Sequence, residues 1–103
     1  MLERLAFRFE RGTTEVSAAP VLVGVVASGN LEVLIERAPL GGACEVEINT
    51  SARGFGEVWK AVVGDFFARH PLADVRISVN DFGATPAVVS LRLDQAAAEF
   101  LAS

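Results

Sequence analysis

The sequence predicts an α+β fold, a mostly antiparallel β-sheet with two helices packed on one face, in the order β-β-β-β-α-β-α. Three observations predict it. In the first half of the chain apolar and polar residues alternate, the period of a strand with one buried face. The period then lengthens to that of a helix, over residues 55–67 and again over residues 89–100. Finally, 103 residues suffice for one core only, so the strands and helices must share it, and residues 1–103 read as a single domain.

The elements follow in chain order. Leu5, Phe7 and Phe9 alternate with Ala6, Arg8 and Glu10, a half-buried strand, and residues 12–17 (GTTEVS) read as a turn or loop. Residues 20–26 are an apolar, β-branched run that stops at Ala27-Ser28-Gly29-Asn30, four small and turn-prone residues. In the next run Leu31, Val33 and Ile35 face one way and Glu32, Leu34 and Glu36 the other, so Ser28-Gly29-Asn30 reads as the tip of a hairpin. Pro39-Leu40-Gly41-Gly42 is a second turn, after which Cys44, Val46 and Ile48 alternate with Glu45, Glu47 and Asn49. Phe55, Val58, Trp59, Val62, Val63, Phe66 and Phe67 then recur at helical spacing and form one wide apolar stripe. Arg69 and His70 occupy the last turn, where cations suit the helix dipole, and Pro71 ends the helix. Val75, Ile77 and Val79 alternate with Asp74, Arg76 and Ser78, and residues 80–84 (NDFGA) turn the chain. Thr85 is placed to cap a second helix with Pro86 as its first residue, and Val89, Leu93, Ala96, Ala97 and Phe100 share one face of it.

Composition narrows the function. Nine basic and 13 acidic residues leave a net charge of −4, which repels a phosphate backbone and argues against nucleic acid as a partner. The longest apolar run, residues 18–27, is half the length needed to span a bilayer and is broken by Pro20 and Gly24. The charged N-terminus lacks the apolar stretch of a secretion signal, so the expectation is a cytoplasmic protein without membrane insertion. One cysteine and one histidine cannot make a disulfide framework or a thiolate metal site. Against that, 51% hydrophobic residues and a mean hydropathy of +0.41 are high for a small soluble domain, which points to apolar surface covered by a partner chain.

The candidate chemistry is sparse. A nucleophilic Cys44 would need His70 as its base, and the simpler reading is a packed strand residue with His70 as a helix C-terminal cation. Glu45/Glu47 and Glu32/Glu36 alternate with apolar neighbours, the pattern of a solvated sheet face, and Asp65, Asp94 and Glu99 fit the polar faces of helices. Gly54-Phe55-Gly56 and Asp81-Phe82-Gly83 imitate two protein-kinase motifs, but no His-Arg-Asp loop accompanies them. Gly54 and Gly56 instead suit a turn into the helix, and Gly83 a positive φ or a tight approach before Thr85. Ser28 is the most distinctive hydroxyl, flanked by minimal bulk at the expected hairpin tip. It suits a transferase that must bring a large nucleotide to a side-chain oxygen, or simply a turn serine bonded to its own backbone. Ser17, Ser51, Thr13 and Thr14 also fall in expected loops.

Residues 28–36 (SGNLEVLIE) and 80–99 (NDFGATPAVVSLRLDQAAAE) together resemble the acyl carrier, or delta, subunits of malonate decarboxylase. The Leu-x-Phe-x-Phe start at Leu5, Phe7 and Phe9 and the short length accord with that family. The resemblance covers nearly the whole chain, dense in the two stretches and thin across residues 50–73. It implies that Ser28 is the attachment point of a 2'-(5''-phosphoribosyl)-3'-dephospho-CoA arm, joined through a phosphodiester, with Gly29 and Asn30 as its loop context. The family usually has Gly before this serine and Asp two residues after it; Ala27 and Asn30 stand here, both small or turn-compatible. The resemblance further implies a carrier with no catalytic residues and no metal, holding acetyl and malonyl groups as thioesters while malonate is converted to acetate and CO2. Its implied partners are the transferase (alpha) and decarboxylase (beta, gamma) subunits, a malonyl-loading transferase and the transferase that attaches the arm. Two alternatives stay open at this point: a gamma-type acyl carrier of citrate lyase, and a structural or regulatory subunit with no covalent group.

Overall fold

Alternation decides which face of each strand enters the core. In the computed structural model, which describes residues 3–15, 21–24 and 30–102, five strands form one sheet in the order β1-β5-β7-β4-β3. They are β1 (Glu3–Phe9), β3 (Val21–Gly24), β4 (Leu31–Arg37), β5 (Cys44–Thr50) and β7 (Val75–Asp81). Leu31, Val33 and Ile35 of β4, Cys44, Val46 and Ile48 of β5, and Val75, Ile77 and Val79 of β7 are all buried on the same face. The opposite face carries charges at cross-strand positions. Glu45 accepts hydrogen bonds from Arg8 on one neighbouring strand at 2.6 Å and from Arg76 on the other at 3.3 Å. These pairs are partly exposed, so they set strand neighbours more than they stabilise.

The helices α1 (Gly56–Arg69) and α2 (Pro86–Ala102) cover the apolar face, α1 over β1 and α2 over β4 and β3, and they pack against each other. Trp59, Val63 and Phe66 of α1 and Val89, Leu93, Ala96, Ala97 and Phe100 of α2 are buried. Phe67 stacks on Phe9 with ring centroids 4.9 Å apart, which fixes α1 to the edge strand. Thr85 caps α2 as its sequence predicts: its hydroxyl accepts the Val88 N–H at 3.3 Å and its carbonyl the Val89 N–H at 3.0 Å.

The α+β class and the two helices on one face agree with the sequence, and three local features depart from it. The central pair β5–β7 is parallel, because the chain crosses over through α1 between them; all other pairs in the large sheet are antiparallel. Inside the expected loop at 12–17, Thr14–Glu15 (β2) pairs in parallel with Leu72–Ala73 (β6), a second, two-stranded sheet. Asp74 is not a strand residue but a left-handed one, φ +58°, between β6 and β7. Its carboxylate accepts the Leu40 N–H at 3.0 Å and the Gly42 N–H at 2.8 Å, and those two donors hold its carboxyl below the usual carboxylate range, Gly42 more than Leu40.

Candidate functional site

The expected hairpin is present in its legs. Val21 pairs with Ile35, Leu22 with Leu34, Val23 with Val33 and Gly24 with Glu32, antiparallel. Ser28 and Gly29 lie outside the described residues, and Asn30 is the first described residue after them. The Asn30 carbonyl accepts the Phe82 N–H at 2.8 Å, so the point where the chain enters β4 is fastened to the turn that follows β7.

That turn is organised by a buried carboxylate. Asp81 ends β7, pairs with Leu31 on one side and Thr50 on the other, and is only 2% exposed. Its Oδ1 accepts the Gly83 N–H at 3.2 Å and the Ala84 N–H at 2.8 Å, while its Oδ2 accepts the Thr50 hydroxyl at 2.8 Å. The Thr50 Oγ1 in turn accepts the Ala52 N–H at 3.1 Å. A buried charge is tolerable only when hydrogen-bonded, and here three donors meet it. Gly83 completes the turn at φ +117°, a value that disfavours any side chain and that the sequence anticipated. Asp81-Phe82-Gly83, a chance kinase match by sequence, is therefore the structural staple between the ends of three strands.

Beside this staple opens an apolar groove of about 270 Å³. Phe55, Val58, Trp59 and Val62 line it from α1 and its approach, and Pro86 and Val89 from α2. Asp81, Gly83 and Ala84 form its rim on the Asn30 side. Phe55 and Val58 belong to the helical stripe read as core, yet they are 50% and 39% exposed. Phe82 is 55% exposed next to them. Three large apolar side chains thus stay in solvent at the end of the sheet where the hairpin joins β4, a grouping that marks an interaction site more often than chance exposure.

The remaining candidates resolve into structural roles. Cys44 is fully buried on the core face of β5, and burial, reinforced by Glu45, pushes its thiol up to about 12, so it is protonated and out of reach of substrates. His70 lies at the C-terminal end of α1, its N–H donated to the Phe66 carbonyl at 2.8 Å and its ring against Phe66. The Asp94 carboxylate of α2 accepts from Arg69 at 3.0 Å and lies 3.3 Å from His70 Nε2, so Asp94 ties the two helices together rather than merely facing solvent. Cys44 and His70 are not brought together as a catalytic pair: one points into the core from the sheet and the other caps a helix. Among the described residues no cluster of three or more His, Cys, Asp or Glu side chains is placed to hold a metal ion, and no helix is long and apolar enough to cross a membrane. The structure adds Thr50, Asp74 and Asp81 to the residues that shape the two ends of the sheet. The one available sequence signal for Asp81 was a carboxylate directly before Phe-Gly in a turn.

Comparison with known proteins supplies what the geometry alone does not. The family model for "Malonate decarboxylase delta subunit (MdcD)" matches residues 18–100. A malonate decarboxylase acyl carrier protein of Xanthomonas campestris pv. campestris (strain B100) is 67% identical over 96 residues, 92% of this chain and 91% of that one. The protein of the same name from Burkholderia cepacia is 66% identical over 98 residues, 95% and 90% of the two chains. That of Stenotrophomonas maltophilia (strain K279a) is 62% identical over 102 residues, 98% and 96%. Among solved structures, a chain of a Pseudomonas malonate decarboxylase hetero-tetramer, crystallised in complex with malonate, superposes with a TM-score of 0.82 at 37% identity, covering 95% of this chain and 98% of that one. The family and these relatives all belong to the malonate system, which decides between the two carrier expectations raised by the sequence.

Proposed function

The chain belongs to the malonate decarboxylase delta-subunit family, and from that premise we propose how this acyl carrier works and where its cargo is attached. It is an acyl carrier subunit, a carrier and not a catalyst, and an acyl carrier of this system implies a prosthetic group. In the proposal that group is a 2'-(5''-phosphoribosyl)-3'-dephospho-CoA arm held through a phosphodiester on Ser28, with Gly29 and Asn30 beside it. The described surroundings fit such a group. Asn30 is tied down by Phe82, and a mostly apolar groove with Asp81 at its rim adjoins for the less polar part of an arm. When bound, the arm supplies a thiol, and a thioester carbonyl accepts the charge that develops as CO2 leaves far better than a carboxylate does.

The chain's own residues do the rest by positioning. Pairing of β4 with both β3 and β7 gives the attachment hairpin a rigid base. The Asp81 staple sets the height of the turn against which Asn30 rests. A tethered cargo meets each partner at a raised local concentration, and weak, repeated docking suits a carrier that must leave one active site for the next. The partners in this reading are the alpha transferase and the beta and gamma decarboxylase subunits, with a malonyl-loading transferase and the arm-attaching transferase, in the cytoplasm. Exposed Phe55, Val58 and Phe82 and the net charge of −4 provide surface for such encounters.

The observation that carries the reading is the near-full-length match to named acyl carrier proteins at 62–67% identity. Intact mass of the protein from its native host tests it. A nucleotide-sized increment, mapped by peptide fragmentation to Ser28 and lost in Ser28→Ala, is expected; unmodified native protein in a cell that still decarboxylates malonate overturns it.

A further inference from the structure

We propose that the groove between α1 and α2 is a resting place for the carrier's own cargo when that cargo is uncharged, and that it turns the charged cargo away. The inference rests on the attachment of the arm at Ser28. It concerns the acyl end of the arm, an acetyl thioester in one state and a malonyl thioester in the other.

Four features of the structure lead here. The groove lies at the correct end of the sheet: its rim residues Asp81 and Gly83 flank Phe82, whose N–H is bound to the Asn30 carbonyl. Two residues span at most about 7 Å of chain, so an arm attached at Ser28 is tethered within that reach of Asn30 and its acyl end meets the groove as an intramolecular ligand. The size is suitable, since about 270 Å³ is just under the range of small-molecule pockets and holds the end of a chain rather than a whole nucleotide. The chemistry of the walls discriminates. They are formed by Phe55, Val58, Trp59, Val62 and Val89, and among the described residues no Lys or Arg lines the groove. Among the described lining residues the one ionisable group is Asp81, whose oxygens are already engaged by Thr50, Gly83 and Ala84. A methyl-ended acyl group gains from leaving water there, whereas a malonyl carboxylate would lose its hydration, find no cationic partner among the described lining residues and face the Asp81 carboxylate.

The consequence is a carrier that sorts its own states. With acetyl on the arm the thioester is shielded from water between turnovers; with malonyl on the arm it stays in solvent, available to the decarboxylating partner. A ligand shifts a conformational equilibrium only by its differential affinity for the two states, and the carboxylate is that difference.

The test uses holo-carrier from cells that attach the arm, prepared with a free thiol, with acetyl and with malonyl, and read by methyl NMR and by Trp59 fluorescence. Acetyl loading is expected to move the resonances of Val58, Val62, Ala84 and Val89, with malonyl loading leaving them at their free-thiol positions. In a second arm, the acetyl thioester is expected to react with hydroxylamine at least about threefold faster in Val58→Glu than in the wild type, with malonyl reacting equally in both because the new carboxylate offers it no partner. Val58 is a half-exposed position in the first turn of α1, where an acidic side chain suits the helix dipole, so α1 stays folded. Groove resonances that ignore acetyl loading, that respond equally to malonyl, or that move only when partner subunits are added overturn the proposal. Peptide mapping of the same samples separates the two layers of the argument. An arm on Ser28 with an indifferent groove sinks this inference alone, and an arm on another residue sinks the premise with it.

Discussion

Strand β7 carries an aspartate at each end, and the two do opposite things. Asp74, just before the strand, gathers the Leu40 and Gly42 amides and closes that end of the sheet. There the backbone is crowded: Gly12 donates to the Gly42 carbonyl, β2 lies along β6, and the Asp74 and Val75 amides both reach the Ala43 carbonyl. Asp81, at the other end, gathers Thr50, Gly83 and Ala84, but around it the apolar side chains of Phe55, Val58 and Phe82 are left in solvent beside an open groove. The same device, a carboxylate collecting turn amides, stands at one end among crowded backbone and at the other among exposed apolar side chains. What separates them is the apolar surface kept uncovered around the second carboxylate.

Substitutions can break this contrast or sharpen it. The largest effect is expected from Asp81→Ala, which takes the acceptor from the buried Thr50 hydroxyl and from two part-buried backbone amides; about 3 kcal/mol of stability should be lost, measured by urea unfolding. At the closed end Gly12→Ala comes next, at about 2 kcal/mol. An added Cβ there would lie 2.1 Å from the Leu72 carbonyl oxygen, a backbone atom that cannot step aside, and the same melt would record it. Thr50→Val keeps the shape but removes one donor from Asp81 and should cost about 1 kcal/mol. If Thr50→Val matched Asp81→Ala, the carboxylate would be held by Thr50 alone and the staple described above would be wrong.

The closed end has an acid signature. The carboxyl of Asp74 is held below its ordinary value of 3.8, so its contribution to stability is present above that value and is lost as the pH falls through the lower folded value. Asp74→Asn should therefore lower the melting temperature near neutral pH and flatten the acid limb of its pH dependence; an unchanged limb would show that the Leu40 and Gly42 amides do not favour the ionised form. Smallest of all, Phe82→Ser should leave stability within about 0.5 kcal/mol, since that ring packs on little, and a large loss in thermal melts would mean that the open end is core after all.

Periodicity made the long elements legible. Each seven-residue strand of the sheet shows its alternation in Leu5-Phe7-Phe9, Leu31-Val33-Ile35, Cys44-Val46-Ile48 or Val75-Ile77-Val79, and both helices show their stripes. The pair β2–β6 was invisible because two residues carry no period. The parallel pairing of β5 with β7 was invisible for another reason: alternation gives the buried face of a strand but not the direction of its neighbour. Asp74 was read as an outward strand residue because its positive φ is set by Leu40 and Gly42, more than thirty positions away in sequence. The helical stripe ran true, yet nothing in the spacing of Phe55 and Val58 told that the sheet ends before reaching them. Ser28 was singled out by its small neighbours and by resemblance to a family, and the family is the one to which the chain belongs.

The two legs of the β3–β4 hairpin are unequal. Among the described residues strand β3 is the outermost of the sheet and is bonded on one side only, whereas β4 lies between β3 and β7 with all seven of its residues in register with β7. A tug on the tip directed along the strands loads the whole β4–β7 ladder in shear, every bond sharing the force at once, while a sideways tug can lift the outer leg by peeling. An arm anchored here, as proposed for Ser28, would be mechanically directional: stiff along the sheet, compliant across it.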